Sequence, residues 1–547
     1  MEKKIKKCSS TGIIFIGILI LHLACWLFYS GNTTITGDEF FSYGLSNGTE
    51  DYIFWDMNQI EAHSNEGGWI EGQAIQSYLQ VDEGEQFSYD RVWWNQEHDV
   101  HPPLYYTILN TVSSMFQGQY SKWFGIGISI FFLMMTEIVI YRISVFYLGK
   151  KILACLPGLL WGFAAGTFFL GSLVRMYAML GFFCMLLVWQ HTKLIYYGFR
   201  KRDYILLGLT ITAGGLTHYY FYLFLALFGG LYFILLLLRK ESVKRVICYC
   251  ATVAAGGILA ILIFPGMLNH IFGGYRGDDV KSMLLSLQFN LTGFLGLMNE
   301  DLFNGHGMLI MFIIGAGSLV CFICERNHIS ISNQISISNP IGLSSYIGLK
   351  DSVKRQLWLL SLLVGICYAL AMMKMSISVR TAYISPCYAV LLTILYIGMI
   401  RSCRILKERR ELVILSIGAL VFIVLTVPGI LKEQKAGYQT ETQYATEFRK
   451  YQDTDCIFVY DSWNNLFDNR MDLLADEDEI YCLDAANIES DAFTDNLEKR
   501  RTKDQVIIML PENEETENRI SLIEKRLDCT AKRVITGGNA VYLIDEK

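Results

Sequence analysis

Apolar runs of about 20 residues recur along this chain, and that repeated length limits its possible folds more than any other feature. Roughly 20 apolar residues wound as a helix cross about 30 Å of hydrocarbon, so each run reads as a candidate membrane span. The runs lie at about 11–29, 123–148, 152–173, 176–197, 204–217, 219–238, 246–268, 306–324, 356–373, 381–400 and 412–431. With 52% hydrophobic and only 18% charged residues, the expected fold class is a polytopic α-helical membrane protein of about 11 spans. The opening "MEKKIKKCSSTGIIFIGILILHLACWLFYS" joins a basic stretch to an apolar stretch of nearly span length. No small-x-small cleavage site follows, so an uncleaved first helix is expected.

The connections alternate in charge. Lys3, Lys4, Lys6 and Lys7 precede the first run, and "YLGKK", "FRKRD", "RKESVKR", "KDSVKR" and "RSCRILKERR" recur at every second connection. Short loops rich in Lys and Arg stay cytoplasmic. The alternate connections, 30–122, 173–178, 216–221, 269–305 and 373–380, then lie outside. The first of these holds Arg91 as its single basic residue among 14 acidic ones between 30 and 103. This pattern places the N-terminus inside and the C-terminus outside. It also requires "PPLYYTILNTVSSMF" (102–116) to be an interfacial or re-entrant helix rather than a span. Proline suits its first turn, and Tyr105 and Tyr106 suit a membrane–water boundary.

After residue 432 the character changes. Residues 432–547 carry 15 Lys and Arg against 26 Asp and Glu, a charge of −11 in a chain whose total is −6. "DCIFVYD", "EIYCLD", "QVIIMLP" and "AVYLID" read as strands, and "EETENRISLIEKRLD" as a helix. Residues 432–547 are therefore expected to form a small extracytoplasmic α/β domain beside a membrane domain spanning 1–431. Its three cysteines, Cys456, Cys482 and Cys529, allow one disulfide at most; cysteines inside the apolar runs read as small hydrophobes. No basic face with interleaved aromatics points to nucleic acid.

The polar residues that stand out are Asp38, Glu39, His98, Asp99, His101, Arg175, Tyr177, His218, Tyr219, Arg276 and Arg380, all in outer loops or at outer ends of runs. Each alone fits a solvated face, a cap or an interfacial anchor. Together they describe a site for a substrate that is part lipid, part phosphate and part hydroxyl-bearing. Carboxylates and histidines serve as bases, and arginines clamp phosphate. Glu39, His98, Asp99, His101 and His218 are also candidate ligands for a divalent metal ion, the one cofactor the sequence leaves open.

"TGDEFFSYGL", "HPPLYYTILN", "GSLVRMYAMLGFFCMLL" and "GGLTHYYFYLFLAL", in that order, resemble membrane glycosyltransferases of the GT-C superfold. The similarity is to the branch holding protein O-mannosyltransferases, often described as family 39, and the transferase that adds aminoarabinose to lipid A. It covers roughly residues 10 to 400. The resemblance implies transfer of one sugar from a polyprenyl-phosphate carrier to an acceptor hydroxyl on the outer face of a bacterial plasma membrane. It implies Asp38 as general base, with Glu39 supporting it or holding an ion. His101, Pro102 and Pro103 would shape the cavity, with Tyr105, Tyr177, His218 and Tyr219 around the substrate. Arg380 would hold the donor phosphate, with Arg175 and Arg276 behind it. Where relatives often carry an acidic or Lys-containing element before the prolines, this chain has His98-Asp99-Val100-His101.

One in-line displacement would invert the anomeric centre. The segment 269–305 reads either as a lid over the lipid site or as a solvated connector. The alternative function is a transporter or flippase for lipid-linked glycans, but the ionisable residues gather at one surface instead of the midplane where transport sites lie. Glu137, inside the second run, is the exception without an assigned role.

Overall fold

The computed structural model describes residues 10–31, 37–48, 68–198, 200–307, 341–402, 408–452, 454–460, 471–498, 505–536 and 539–546. Among these, eight helices are long and apolar enough to cross a membrane: Ser10–Ser30, Lys122–Leu148, Tyr177–Tyr197, Tyr220–Leu238, Val243–Ile263, Ser352–Met375, Thr381–Arg401 and Leu415–Lys432. Each falls on one of the runs read from the sequence. The run 152–173 is a pair, Cys155–Gly162 and Ala165–Ser172, bent by 66°. The run 204–217 is the 15-residue helix Lys201–Gly215, which at 1.5 Å per residue rises only about 22 Å. From residue 308 on, the run 306–324 lies outside the described residues.

Among the described residues of the connection 30–122 are four short helices, Gly37–Asn47, Gly72–Leu79, Tyr89–His98 and Leu104–Ser114. The last follows Pro102-Pro103 and has 11 residues, too few to span, as expected. Its tyrosines are packed inside the protein: Tyr105 and Tyr106 are 1% and 0% exposed. The helix is packed over by its neighbours, and its start is fixed where Leu104 N–H donates to Leu216 C=O at 3.0 Å.

The C-terminal part builds a six-stranded sheet in the order β1-β3-β2-β4-β6-β5. The strands are β1 Gly68–Glu71, β2 Asp455–Tyr460, β3 Glu479–Asp484, β4 Val506–Pro511, β5 Cys529–Ile535 and β6 Asn539–Glu546. β3, β2 and β4 run parallel, and β1, β6 and β5 complete the sheet antiparallel. Parallel strands are covered on both faces, and here the two faces serve different cores. Ile457, Val459 and Ile508 pack with Phe493, Leu497, Ile520 and Ile523 of the helices that connect the strands. Cys456, Phe458 and Met509 point the other way and join the core of the membrane helices together with Tyr444 and Phe448. Cys456, Cys482 and Cys529 are buried free thiols.

Two strands were not expected. β5 pairs with β6 as an edge hairpin. β1 comes from the first long connection, pairing Gly68 with Cys482 and Trp69 with Tyr481. Gly72 packs so closely that a Cβ there would lie 1.8 Å from the Glu477 carbonyl oxygen. The first connection and the C-terminal sheet are thus one structure. Nor does the chain break at 432, because the helix Glu408–Phe448 runs on without interruption into the approach to β2.

Candidate active site

Asp38 and Glu39 occupy the first turn of the helix Gly37–Asn47, where the helix dipole favours acids. Neighbouring helical positions point about 100° apart, so the two carboxylates separate. Asp38 stays half exposed and its Oδ2 lies 3.0 Å from Nη1 of Arg380, which stands just before the helix Thr381–Ser402. Glu39 is 3% exposed, and its Oε1 accepts the Val174 backbone N–H at 2.7 Å. That bond pins the connection that carries Arg175.

Arg175 is buried and gathers the site. Its Nη1 donates to the Asp38 carbonyl oxygen at 3.0 Å, to Ser42 Oγ at 3.2 Å and to Tyr106 Oη at 3.4 Å. Its Nη2 lies 3.3 Å from His101 Nε2, and His101 Nδ1 lies 2.8 Å from Asp99 Oδ2. A guanidinium only donates, so His101 accepts at Nε2 and carries its proton on Nδ1, toward Asp99. Burial pushes the His101 imidazole below its ordinary value and Arg175 adds to this, outweighing Asp99. For Asp99, burial alone would raise the carboxyl, but His101, the Val100 N–H and Arg175 hold it lower than usual. Burial likewise works against the Arg175 charge, yet Tyr106 and the Asp38 and Asp99 carboxylates hold its pKa above the ordinary arginine value. The result is a carboxylate, a neutral imidazole and a fixed cation in a row ending on the backbone of Asp38.

His218 closes the next side. Its ring lies 5.8 Å from that of His101, 5.4 Å from Tyr177 and 4.4 Å from Tyr220. Its Nδ1 accepts the Tyr220 backbone N–H at 3.0 Å, which leaves the proton of a neutral ring on Nε2. Burial, His101 and Arg175 together push it well below the ordinary histidine value. Tyr383 stands 6.3 Å from Tyr177 and 5.7 Å from Tyr220, ring to ring. The wall is aromatic and uncharged, beside an open carboxylate and two arginines.

The structure therefore brings together Asp38, Asp99, His101, Arg175, Tyr177, His218 and Arg380. Pro102 and Pro103 are buried in the turn that follows His101. Tyr105 is buried behind Tyr106, ring to ring at 5.7 Å. Tyr219 turns away, its hydroxyl 2.6 Å from His270 Nδ1, while His270 Nε2 reaches the Glu97 carbonyl at 3.0 Å. The Arg276 side chain lies outside the described part of the helix Tyr275–Leu285. The metal-ligand set does not converge: His98 lies against the Trp94 carbonyl at 2.8 Å, Glu39 is committed to Val174, and Asp99 and His101 face each other. Among the described residues no three His, Cys, Asp or Glu side chains form a metal-binding group.

Sequence reading missed Tyr220 and Tyr383. Tyr220 follows His218-Tyr219 directly and Tyr383 is three residues past Arg380, so adjacency to chosen residues was the available signal. It also left Glu137 alone. The structure places Glu137 Oε2 2.9 Å from Nδ1 of His22 on the first helix, both fully buried.

No protein-family model and no curated protein matches the chain. Solved structures do. ArnT from Cupriavidus metallidurans bound to undecaprenyl phosphate superimposes with a TM-score of 0.53 at 10% identity, over 98% of each chain. The same protein in the apo state gives 0.50 at 10% identity, over 97% of each chain. Nearly the whole length is shared, C-terminal part included, and the chain has the GT-C fold.

Proposed function

We propose that this protein transfers one sugar from a polyprenyl-phosphate donor to an acceptor hydroxyl on the outer face of the membrane. The observation that carries this reading is the exposed pair of Asp38 and Arg380, 3.0 Å apart, seated in front of the Asp99–His101–Arg175 row. A solvent-facing ion pair contributes only about 0–1 kcal/mol, so Arg380 gives up Asp38 cheaply when a phosphate arrives. Asp38 is then released to take the acceptor proton as the hydroxyl oxygen attacks the anomeric carbon. The sugar–phosphate bond breaks, and the charge that develops on the leaving phosphate falls to Arg380 and the fixed cation Arg175. Attack opposite the leaving group inverts the anomeric centre.

Support for a lipid-borne donor comes from the shared fold with ArnT, whose structure holds undecaprenyl phosphate. The alternating basic loops support an outward-facing site. Nucleotide sugars are made inside the cell, and a transferase facing out needs its donor on a lipid.

The test is release of free polyprenyl phosphate from a panel of polyprenyl-phosphate sugars, using the full chain in nanodiscs with an acceptor-rich membrane extract. Wild type is expected to release it and Asp38→Asn to lose about 10²–10⁴ of the rate. Parallel reactions with a chelator decide metal dependence. No release by folded wild type from any donor overturns the transferase reading in favour of transport.

A further inference from the structure

Arg380 lies on a short connection, 376–380, between two long helices, and both sides of that connection are tied to the segment 286–303. On the near side, Asn290 Nδ2 donates to the Ser376 carbonyl at 2.8 Å and Asn290 N–H to the Met373 carbonyl at 3.0 Å. Lys374 Nζ donates to the carbonyls of Ser286 at 2.5 Å and Gln288 at 3.1 Å. On the far side stands Asp301, at the end of the helix Leu291–Phe303. Its Oδ1 accepts from Thr381 Oγ1 at 3.1 Å and its Oδ2 from Tyr388 Oη at 2.5 Å.

Thr381 is the first residue of the helix that follows Arg380, and Tyr388 lies seven positions on, about two turns along the same face. One carboxylate therefore grips the first two turns of that helix. Asp301 is 7% exposed, and a buried carboxylate is tolerated only where its oxygens are hydrogen-bonded. Burial pushes its carboxyl up to about 6, with the Tyr388 and Thr381 hydroxyls working in the opposite direction and Glu300 adding to the rise. The catalytic machinery described above makes no direct use of this acid.

We infer that Asp301, seconded by Asn290, is a positioning residue that holds Arg380 at the Asp38 carboxylate. The segment that the sequence offered as a lid or a connector is on this account a brace. It rests on the reading of Arg380 as the donor-phosphate clamp, and the experiment separates the two.

Asp301→Asn keeps the side-chain size but cannot accept both hydroxyls through charged oxygens. In the full chain in nanodiscs, hydrogen exchange over residues 376–383 is expected to rise at least several-fold in Asp301→Asn and to stay at the wild-type level in Arg380→Ala. Binding of undecaprenyl phosphate is expected to weaken about tenfold in Asp301→Asn. That loss should vanish when Arg380 is already alanine, since coupled residues do not add. Unchanged exchange over 376–383, or a binding loss that adds in full to that of Arg380→Ala, overturns the brace. If Arg380→Ala alone leaves lipid binding intact, the phosphate reading fails while the exchange result still decides the brace. Asn290→Ala provides the second variant: it removes the side-chain bond to the Ser376 carbonyl without touching the buried acid, and is expected to raise exchange over the same residues.

Discussion

Arg175 Nη2 lies 3.3 Å from Nε2 of His101, and because arginine has no acceptor to offer, His101 meets it neutral, with its proton on the side of Asp99. The arrangement holds only while His101 and its neighbour His218 stay unprotonated, since a second cation would face Arg175 at each ring.

Acid is therefore expected to loosen this region. Both histidines sit below their ordinary value in the folded chain, burial being the first cause. As pH falls through the ordinary histidine value, the unfolded state takes up protons first and stability drops. Asp99 has the same sign, being a stronger acid when folded, and its contribution is lost at still lower pH. The melting temperature in detergent should fall between about pH 7.5 and about pH 5.5. His218→Gln, which keeps an acceptor for the Tyr220 N–H and cannot charge, should shrink that fall. An undiminished fall in the variant places the acid response elsewhere.

Asp38 and Arg380 should separate chemistry from binding. Asp38→Asn removes the proposed base and is expected to cost about 10²–10⁴ in turnover, yet it also removes a negative charge beside the proposed phosphate site and frees Arg380. Its affinity for undecaprenyl phosphate should equal or exceed wild type. Arg380→Ala should weaken that affinity, and Arg380→Lys should restore it only in part because the planar fork is gone. Titration of both variants with the lipid phosphate checks this. Equal weakening in Asp38→Asn and Arg380→Ala would contradict the assigned roles.

Glu39 stands next to Asp38, the proposed base, in sequence, but accepts a backbone amide. Glutamine can still accept the Val174 N–H, without the charge, so Glu39→Gln should retain sugar release within a few-fold. Glu39→Ala leaves a buried donor unmet and is expected to cost about 1–3 kcal/mol of stability. Thermal melts alongside the release assay distinguish this from a catalytic role, in which glutamine would be as damaging as alanine.

How far the sequence reveals all this depends on whether a feature is local. Span-length helices, the Pro-Pro turn before Leu104 and four of the strands follow from composition within windows of 6–20 residues, and the structure places them where hydropathy does. Asp38, His101 and Arg175 are recognisable because short motifs carry them, and Arg380 because it ends a short outer connection. The fourth residue of a motif says nothing of what it faces, however. Asp301 meeting Tyr388, His22 meeting Glu137 and Gly68 meeting Cys482 join positions far apart in the chain. β1 is also only four residues long, too short for an alternating pattern to stand out. The burial of Tyr105 and Tyr106 went unseen for the same reason: the helices that cover them come from elsewhere in the chain.

The joint between the first connection and the C-terminal sheet should fail at Gly72. A methyl group there would meet the Glu477 carbonyl oxygen at 1.8 Å, and rigid backbone cannot yield as a flexible side chain would. Gly72→Ala is expected to cost about 1–3 kcal/mol by overpacking and to expose the edge of β3 where β1 leaves it. Limited proteolysis should then cut within the first connection sooner than in wild type. An unchanged pattern and melting temperature would mean that β1 is not held by this contact.

The pair His22 and Glu137 is the remaining prediction, and it bears on function through stability. Both side chains are fully buried, and a Cβ on Gly162 would lie 2.2 Å from the His22 ring, so the first helix is seated tightly on the bent pair. Removing one partner strands the other as an unsatisfied buried polar group, which typically costs about 1–3 kcal/mol, whereas replacing both with apolar side chains of similar size is often neutral. Glu137→Leu alone should therefore lower the melting temperature strongly, and adding His22→Phe should recover most of the loss. A transferase working at the outer ends of the helices has no need of this pair, so the folded double variant should still release lipid phosphate. A folded double variant without activity would instead make the pair part of the working cycle, as expected of a transporter that moves charge through the membrane.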